Sequence, residues 1–372
     1  MCRVILCLLP LAGVGVASTS FAGGDDPSNT ELIRTAVTQL LSMQEADGTW
    51  PYEGVYRVRG KIPIGYRIGG TALVGEALLH STPRDDKKVF SAIARGIDYI
   101  LAALEDPRMA PSKKNAYDVR VWGHCYALEF FCQLRGSKRF ADHDKSIQKW
   151  IPKLVDALIE EELPDGGWNY ANRSQHAAFV TAPVTQALLL ARSQGEKVPA
   201  EVFERSRKIL LGSRVDSGAF TYSGRSAGQA ESPRAKMPGS IGRSPLCETT
   251  LKLLGGGSNR AIQAALDAFH LHWDELEKRR KKTGTHAGPY GIAPYYFYFA
   301  HRYAAQAIQA LPPADRAAEQ KRMRAVLLRT RDEDGTWNDR VFKRSRNFGS
   351  AMAVLALLGD RTPLPPPLDS RP

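Results

Sequence analysis

Cysteine is scarce in this chain, with five in 372 residues. Cys2 and Cys7 stand in an apolar N-terminal stretch, which leaves Cys125, Cys132 and Cys247 to the remainder. Cys125 and Cys132 are seven positions apart on one predicted helix, so about 10 Å separates them along its axis. That is too far for a disulfide, and three thiols cannot all pair, so a disulfide-stapled scaffold is excluded. Long hydrophobic runs are missing too. Beyond the N-terminus no apolar segment matches the roughly 20 residues that cross a bilayer. Residues 291–311 come closest and are interrupted by His301 and Arg302. No nucleic-acid module signature occurs, although the net charge is +12. Only Lys278-Arg279-Arg280-Lys281-Lys282 concentrates that charge. Such a run meets phosphate or an anionic surface, or it is the solvated end of a helix, which is the commoner case.

The N-terminus itself reads as an export signal. Arg3 supplies a basic start, Val4 to Val16 an apolar run, and Ser20-Phe21-Ala22 small residues at a cleavage site. The expectation is a signal peptide over 1–22, a single domain over 23–359, and a proline-rich tail over 360–372. A retained N-terminal anchor is the competing reading of the first segment.

Tryptophan is also sparse, and three of the six lie in one motif. Asp47-Gly48-Thr49-Trp50, Asp165-Gly166-Gly167-Trp168 and Asp334-Gly335-Thr336-Trp337 share Asp-Gly-x-Trp, with a weaker copy at Asp216-Ser217-Gly218-Ala219-Phe220. The aromatic positions are separated by 118, 52 and 117 residues. Each long gap is near twice the short one and therefore hides a degenerate copy. Six units of about 55 residues run from Glu31 to Gly359. In each, an apolar-periodic helix such as Leu32 to Leu41 precedes the turn, and a second helix rich in small residues follows it. The second helices align at Thr71, His124, Thr181, Ser244, His301 and Ser350. Helix pairs of this kind bury their apolar faces against neighbours. A closed ring needs no capping ends, so the expected fold is all-α, an (α/α)6 toroid with the second helices inside. An open solenoid is the alternative.

Gln44-Glu45-Ala46-Asp47-Gly48-Thr49-Trp50 fits Gln-x-x-x-Gly-x-Trp. It resembles the repeat of squalene–hopene and oxidosqualene cyclases and of protein prenyltransferase β subunits, over nearly all of 31–359. The resemblance implies an α/α toroid with a ligand cavity at one end of the inner helices. Three departures limit it. The chain has length for one such domain, where triterpene cyclases carry two. It has no D-x-D-D acid motif, and no D-x-C zinc motif.

Candidate site residues follow. His124 and His301 fall in opposite units, where a pair of imidazoles could do acid–base work, or could merely hydrogen-bond helix starts. Asp118 stands near His124 and could orient it, within the polar cluster Tyr117, Asp118, Arg120, Trp122; a surface Asp–Arg pair is the plainer reading. These three, His124, His301 and Asp118, are the catalytic candidates. Trp122, Arg120, Tyr290, Tyr295 and Tyr296 are the substrate-binding candidates. The last three belong to the aromatic run His286 to Phe299, whose ring faces could stabilise cations, stack on sugars, or pack a core. Glu76 and Glu129 recur at equivalent positions and read as helix contacts, and Trp50, Trp168 and Trp337 as structural plugs. No ligand spacing suggests a metal or cofactor, although His124, Cys247 and His301 are suitable residue types.

The sequence does not fix one reaction, and catalysis itself is left open. The leading expectation is a cyclase-like toroid, exported and monomeric, holding a hydrophobic or amphipathic small molecule, with no nucleic acid and no membrane span. A non-catalytic envelope-binding scaffold and a glycan-active α/α barrel are the alternatives. An apolar aromatic cavity favours the first, a packed centre the second, and a carboxylate-lined cavity the third.

Overall fold

The structure is a computed structural model. It describes residues 27–54, 60–112, 117–171, 174–224 and 227–370, so the leader expected over 1–22 lies outside the described residues. Twelve principal helices alternate between two rings. The outer set is α1 (Asn29–Ser42), α3 (Lys87–Leu104), α5 (Ala141–Glu160), α7 (Ala200–Ser213), α9 (Asn259–Leu271) and α11 (Pro313–Arg329). The inner set is α2 (Ile64–Ser81), α4 (Arg120–Ser137), α6 (Ala178–Ser193), α8 (Ser244–Leu253), α10 (Phe297–Gln309) and α12 (Ser345–Leu358). Among the described residues the only β pairing is two isolated bridges. Each inner helix packs on the next, and α12 packs back on α2. The ring is therefore closed, as the repeat spacing anticipates, and an open solenoid is ruled out.

Composition explains the division. The outer helices α3, α5 and α9 bury one stripe, as with Val89, Ile93, Ile97 and Ile100 on α3, and expose the rest. Inner helices are covered on all sides: α2 buries every residue from Ile68 to Leu79.

The Asp-Gly-x-Trp motif fastens each outer helix to the following inner one. The three indoles are fully buried. Trp50 Nε1 donates to Leu40 O at 2.6 Å, Trp168 to Leu158 O at 2.7 Å and Trp337 to Leu327 O at 2.8 Å. Each thus binds the carbonyl ten residues back, at the end of its outer helix. Each Trp backbone N–H donates forward to an inner-helix hydroxyl: Thr71 at 3.1 Å, Thr181 at 3.1 Å and Ser350 at 3.0 Å. In the first and sixth units the motif aspartate closes its own turn. Asp47 Oδ1 accepts from Thr49 N at 3.1 Å and from Thr49 Oγ1 at 2.7 Å, and its other oxygen pairs with Arg67 on α2. The motif glycines have φ of +87°, +96° and +84° at Gly48, Gly166 and Gly335, the left-handed region where a side chain is strained.

The first repeat meets the sixth. Asn29 Nδ2 donates to Leu357 O at 3.5 Å, Arg324 Nε donates to Asn29 Oδ1 at 3.0 Å, and Arg344 pairs with Glu45 at 2.6 Å. The proline-rich tail crosses the base of the ring, where Leu368 N donates to Leu253 O at 2.8 Å.

Candidate functional site

Every inner helix begins at the same end of the ring, and there a funnel opens on the axis. Its wall is built from inner-helix starts: Gly65, Tyr66, Gly69, Gly70 and Leu73 on α2, Trp122 and Tyr126 on α4, Phe179 on α6, Phe299 on α10 and Phe348 on α12. Loop residues Tyr52, Tyr117, Tyr170, Tyr295 and Tyr296 complete it. The space amounts to about 600 Å³, counting the open mouth. The rings brace one another. Trp122 stacks on Tyr126 with centroids 5.4 Å apart, and Phe348 on Tyr52 at 4.2 Å. Hydroxyl pairs link neighbouring repeats at the lip, Tyr66 with Tyr117 and Tyr170 with Tyr222, each at 3.3 Å. No carboxylate lines the funnel among the described residues.

One turn below the floor lies a buried ion triad. Arg302 Nη2 donates to Glu76 at 3.0 Å and to Glu129 at 2.6 Å. Burial raises the Glu76 carboxyl, and pushes that of Glu129 up to about 7 against the pull of Arg302. The triad ties α2, α4 and α10 across the axis, which is the helix-contact role expected for the two glutamates.

The sequence candidates divide. Trp122, Tyr295 and Tyr296 line the funnel. Tyr290 and Arg120 do not line it. Arg120 pairs with Asp118 and donates to Ala110 O, and Asp118 accepts from Arg120 N at 3.0 Å, so this pair pins the start of α4. The imidazoles are not brought together over the axis. His124 Nδ1 meets Glu161, beyond the end of α5, at 3.0 Å. His301 is fully buried: its Nδ1 donates to Phe297 O at 2.7 Å and its Nε2 accepts from the Trp273 indole at 2.8 Å. Burial holds the His301 imidazole down at about 3, so it stays neutral. These two units are the ones without Asp-Gly-x-Trp. The hydroxyl that receives a Trp N–H elsewhere gives way to a larger ring that reaches sideways into the joint. In the fourth unit the motif acceptor is Ser240, at 2.7 Å from Phe220 N, one turn before the expected Ser244.

Three charges of the basic run are paired locally. Lys278 pairs with Glu275, Arg280 with Glu277 and Lys281 with Asp332, while Arg279 donates to loop carbonyls. Among the described residues no three His, Cys, Asp or Glu side chains come together as a metal site. The three thiols are buried, and burial raises all three, that of Cys132 to about 12.

Sequence reasoning missed Asp339. Two residues after the motif aromatic come Tyr52, Tyr170 and Tyr222, and in the sixth unit Asp339. Tyr52 and Tyr170 line the funnel and Tyr222 touches its lip. Asp339 is fully buried, neither carboxyl oxygen has a hydrogen-bond partner on another residue among those described, its own backbone N–H being the one donor near it, and the Tyr52 hydroxyl lacks a partner as well. Burial pushes the Asp339 carboxyl up to about 8, against the pull of Arg340, and its charge in turn acts on Tyr52. Near neutral pH it therefore holds its proton.

No family model and no curated protein matches the chain. Solved structures do. An α-1,6-mannanase from Salegentibacter sp. HEL1_6, in an inactive variant complexed with α-1,6-mannotetrose, is similar with a TM-score of 0.56 at 13% identity, over 89% of this chain and 99% of that one. The type II terpene cyclase MstE from Scytonema gives 0.54 at 15% identity, over 90% and 98%. A protein from Actinoplanes gives 0.50 at 16% identity, over 89% and 98%. At this identity the likeness establishes the α/α toroid fold alone.

Proposed function

We propose that the chain is an enzyme that takes an apolar, unsaturated molecule into the funnel and uses Asp339 as its acid. The observation that carries this reading is a neutral, unpartnered carboxyl placed, by repeat register, behind a wall of aromatic rings. The O–H bond of Asp339 breaks, its electron pair stays on the carboxylate, and the π pair of a ligand C=C bond forms the new C–H bond. The resulting cation meets ring faces, each worth about 0.5–2 kcal/mol to a desolvated positive charge. Loss of a proton from a neighbouring carbon then quenches the cation and recharges the acid. Tyr52 lines the funnel and feels the charge of Asp339, so its unpartnered hydroxyl is the natural relay, giving its own proton to the ligand carbon as it takes the one that Asp339 releases.

The toroid fold serves glycan chemistry equally well, but that chemistry rests on paired carboxylates flanking the bond, and the described funnel wall offers rings instead. The test is incubation with C15 to C30 polyprenols and squalene in deuterium oxide, with α-1,6-mannotetrose as the control. Deuterium should enter product carbon with the native chain and be lost in Asp339→Asn, while Trp122 fluorescence still reports binding. Incorporation that survives Asp339→Asn, or cleavage of the mannan, overturns the reading.

A further inference from the structure

The lip of the funnel carries an unusual charge. Arg234 is half-buried with its Cζ 5.0 Å from the Tyr222 ring centroid, and its guanidinium makes no ion pair or hydrogen bond among the described residues. It is seated against Gly291, where an added Cβ would come within 2.8 Å of its Cγ and Nε, so the glycine makes its place. Arg243 is buried nearby and donates only to carbonyls, to Phe220 O at 2.6 Å and to Gly239 O at 2.9 Å among others. Arg279 likewise gives its donors to Ile292 O at 3.2 Å and Thr285 O at 3.1 Å. Among the described residues, none of the three meets a carboxylate.

These charges converge on His286, whose imidazole burial holds down at about 4, with Arg234, Arg243 and Arg279 pushing the same way. His286 in turn meets the Tyr295 hydroxyl at 3.3 Å and the edge of Tyr222 at 5.1 Å between centroids. Tyr295 is part of the funnel wall. An apolar slot thus runs directly into a patch of uncompensated positive charge. Carbonyl dipoles satisfy hydrogen bonds but do not cancel a net charge, so the field at the lip favours an anion.

Resting on the funnel reading above, we infer that the lip between Tyr222 and His286 is a subsite for an anionic head group, carboxylate or phosphate, on an apolar chain, with Arg234 as its direct contact. Arg243 and Arg279 supply field from behind, and Arg234 supplies the free N–H donors. The ligand enters tail first, and its charged end stays at the mouth.

Calorimetric titration of the intact chain with decanoate, decyl phosphate, decanol and inorganic phosphate tests this. Both amphiphilic anions should bind at least tenfold more tightly than decanol. Arg234→Gln should bring the three within about twofold of each other without weakening decanol, and rising salt should erode the preference. Which anion is tighter separates carboxylate from phosphate. Equal binding of anion and alcohol, or a preference that survives Arg234→Gln, overturns the subsite while leaving the funnel reading intact. Inorganic phosphate binding as tightly as decyl phosphate would detach the anion site from the funnel and overturn the head-group assignment. If no amphiphile binds, the funnel reading falls and the subsite falls with it.

Discussion

Asp339 and the tyrosines at its register show what a single repeat position can carry. In three units the residue two past the motif aromatic is a tyrosine that reaches the funnel or its lip; in the sixth it is a shorter acid. That register was legible in the sequence once the motif was aligned, but burial was not, because Asp339 sits in a polar run beside Asn338 and Arg340. The consequence is a pH signature. An unfolded aspartate ionises near 3.9, whereas the folded group holds its proton up to about 8. Between these values the folded chain binds a proton that the unfolded chain has released, so this group's contribution to stability falls as pH rises. At pH 7 the penalty reaches up to roughly 4 kcal/mol. Asp339→Asn removes it. The melting temperature of the variant should exceed that of the native chain by a margin that grows from pH 5 to pH 8, and parallel curves would show the acid to be ordinary.

At the scale of the helix, the period of the apolar residues and the repeated turn placed the elements well. What the pattern could not supply was direction around the ring. The six polar positions align in sequence, and His124 and His301 among them offered an acid–base pair, yet Thr71, Thr181 and Ser350 receive Trp N–H groups in the joints, and His124 and His301 turn into the joints as well. The inner helices are buried all round, so polarity at one position carried no facing information. Two depths of damage follow for the joint. Trp168→Ala removes a fully buried indole and should cost about 3–5 kcal/mol. Thr181→Val keeps the volume but strands the Trp168 N–H, and should cost about 1–3 kcal/mol. Urea denaturation of both variants distinguishes them, and a Thr181→Val change of zero would mean the N–H finds another partner.

For the molecule as a whole, closure is the decisive property. It was readable from intervals of 118, 52 and 117 residues, because a six-unit array with small-residue inner helices has an economical solution in a ring. The degenerate second and fifth units were harder to read, since one replaces the motif with Met109 packed against Gly123 and the other with a Trp273–His301 bond. Both preserve the contact while abandoning the letters. Closure also fixes what lies where: aromatic funnel at one end, with the Arg302 triad one turn beneath its floor and the tail crossing the base.

The seam where Asn29 and Arg324 join the first outer helix to the last outer helix has a topological meaning. Across that seam α12 packs on α2 as each other inner helix packs on the next, so the ring itself does not dictate the order of the repeats along the gene. A circular permutant that links Gly359 to Asn29 and opens instead at the Lys138–Phe140 turn, at the base between α4 and α5, should fold to the same toroid and melt cooperatively within a few degrees of the native chain. A permutant that fails to fold would mean assembly must begin from one particular repeat. If it folds, the ring can be entered at more than one repeat, and the six units are interchangeable as starting points for folding.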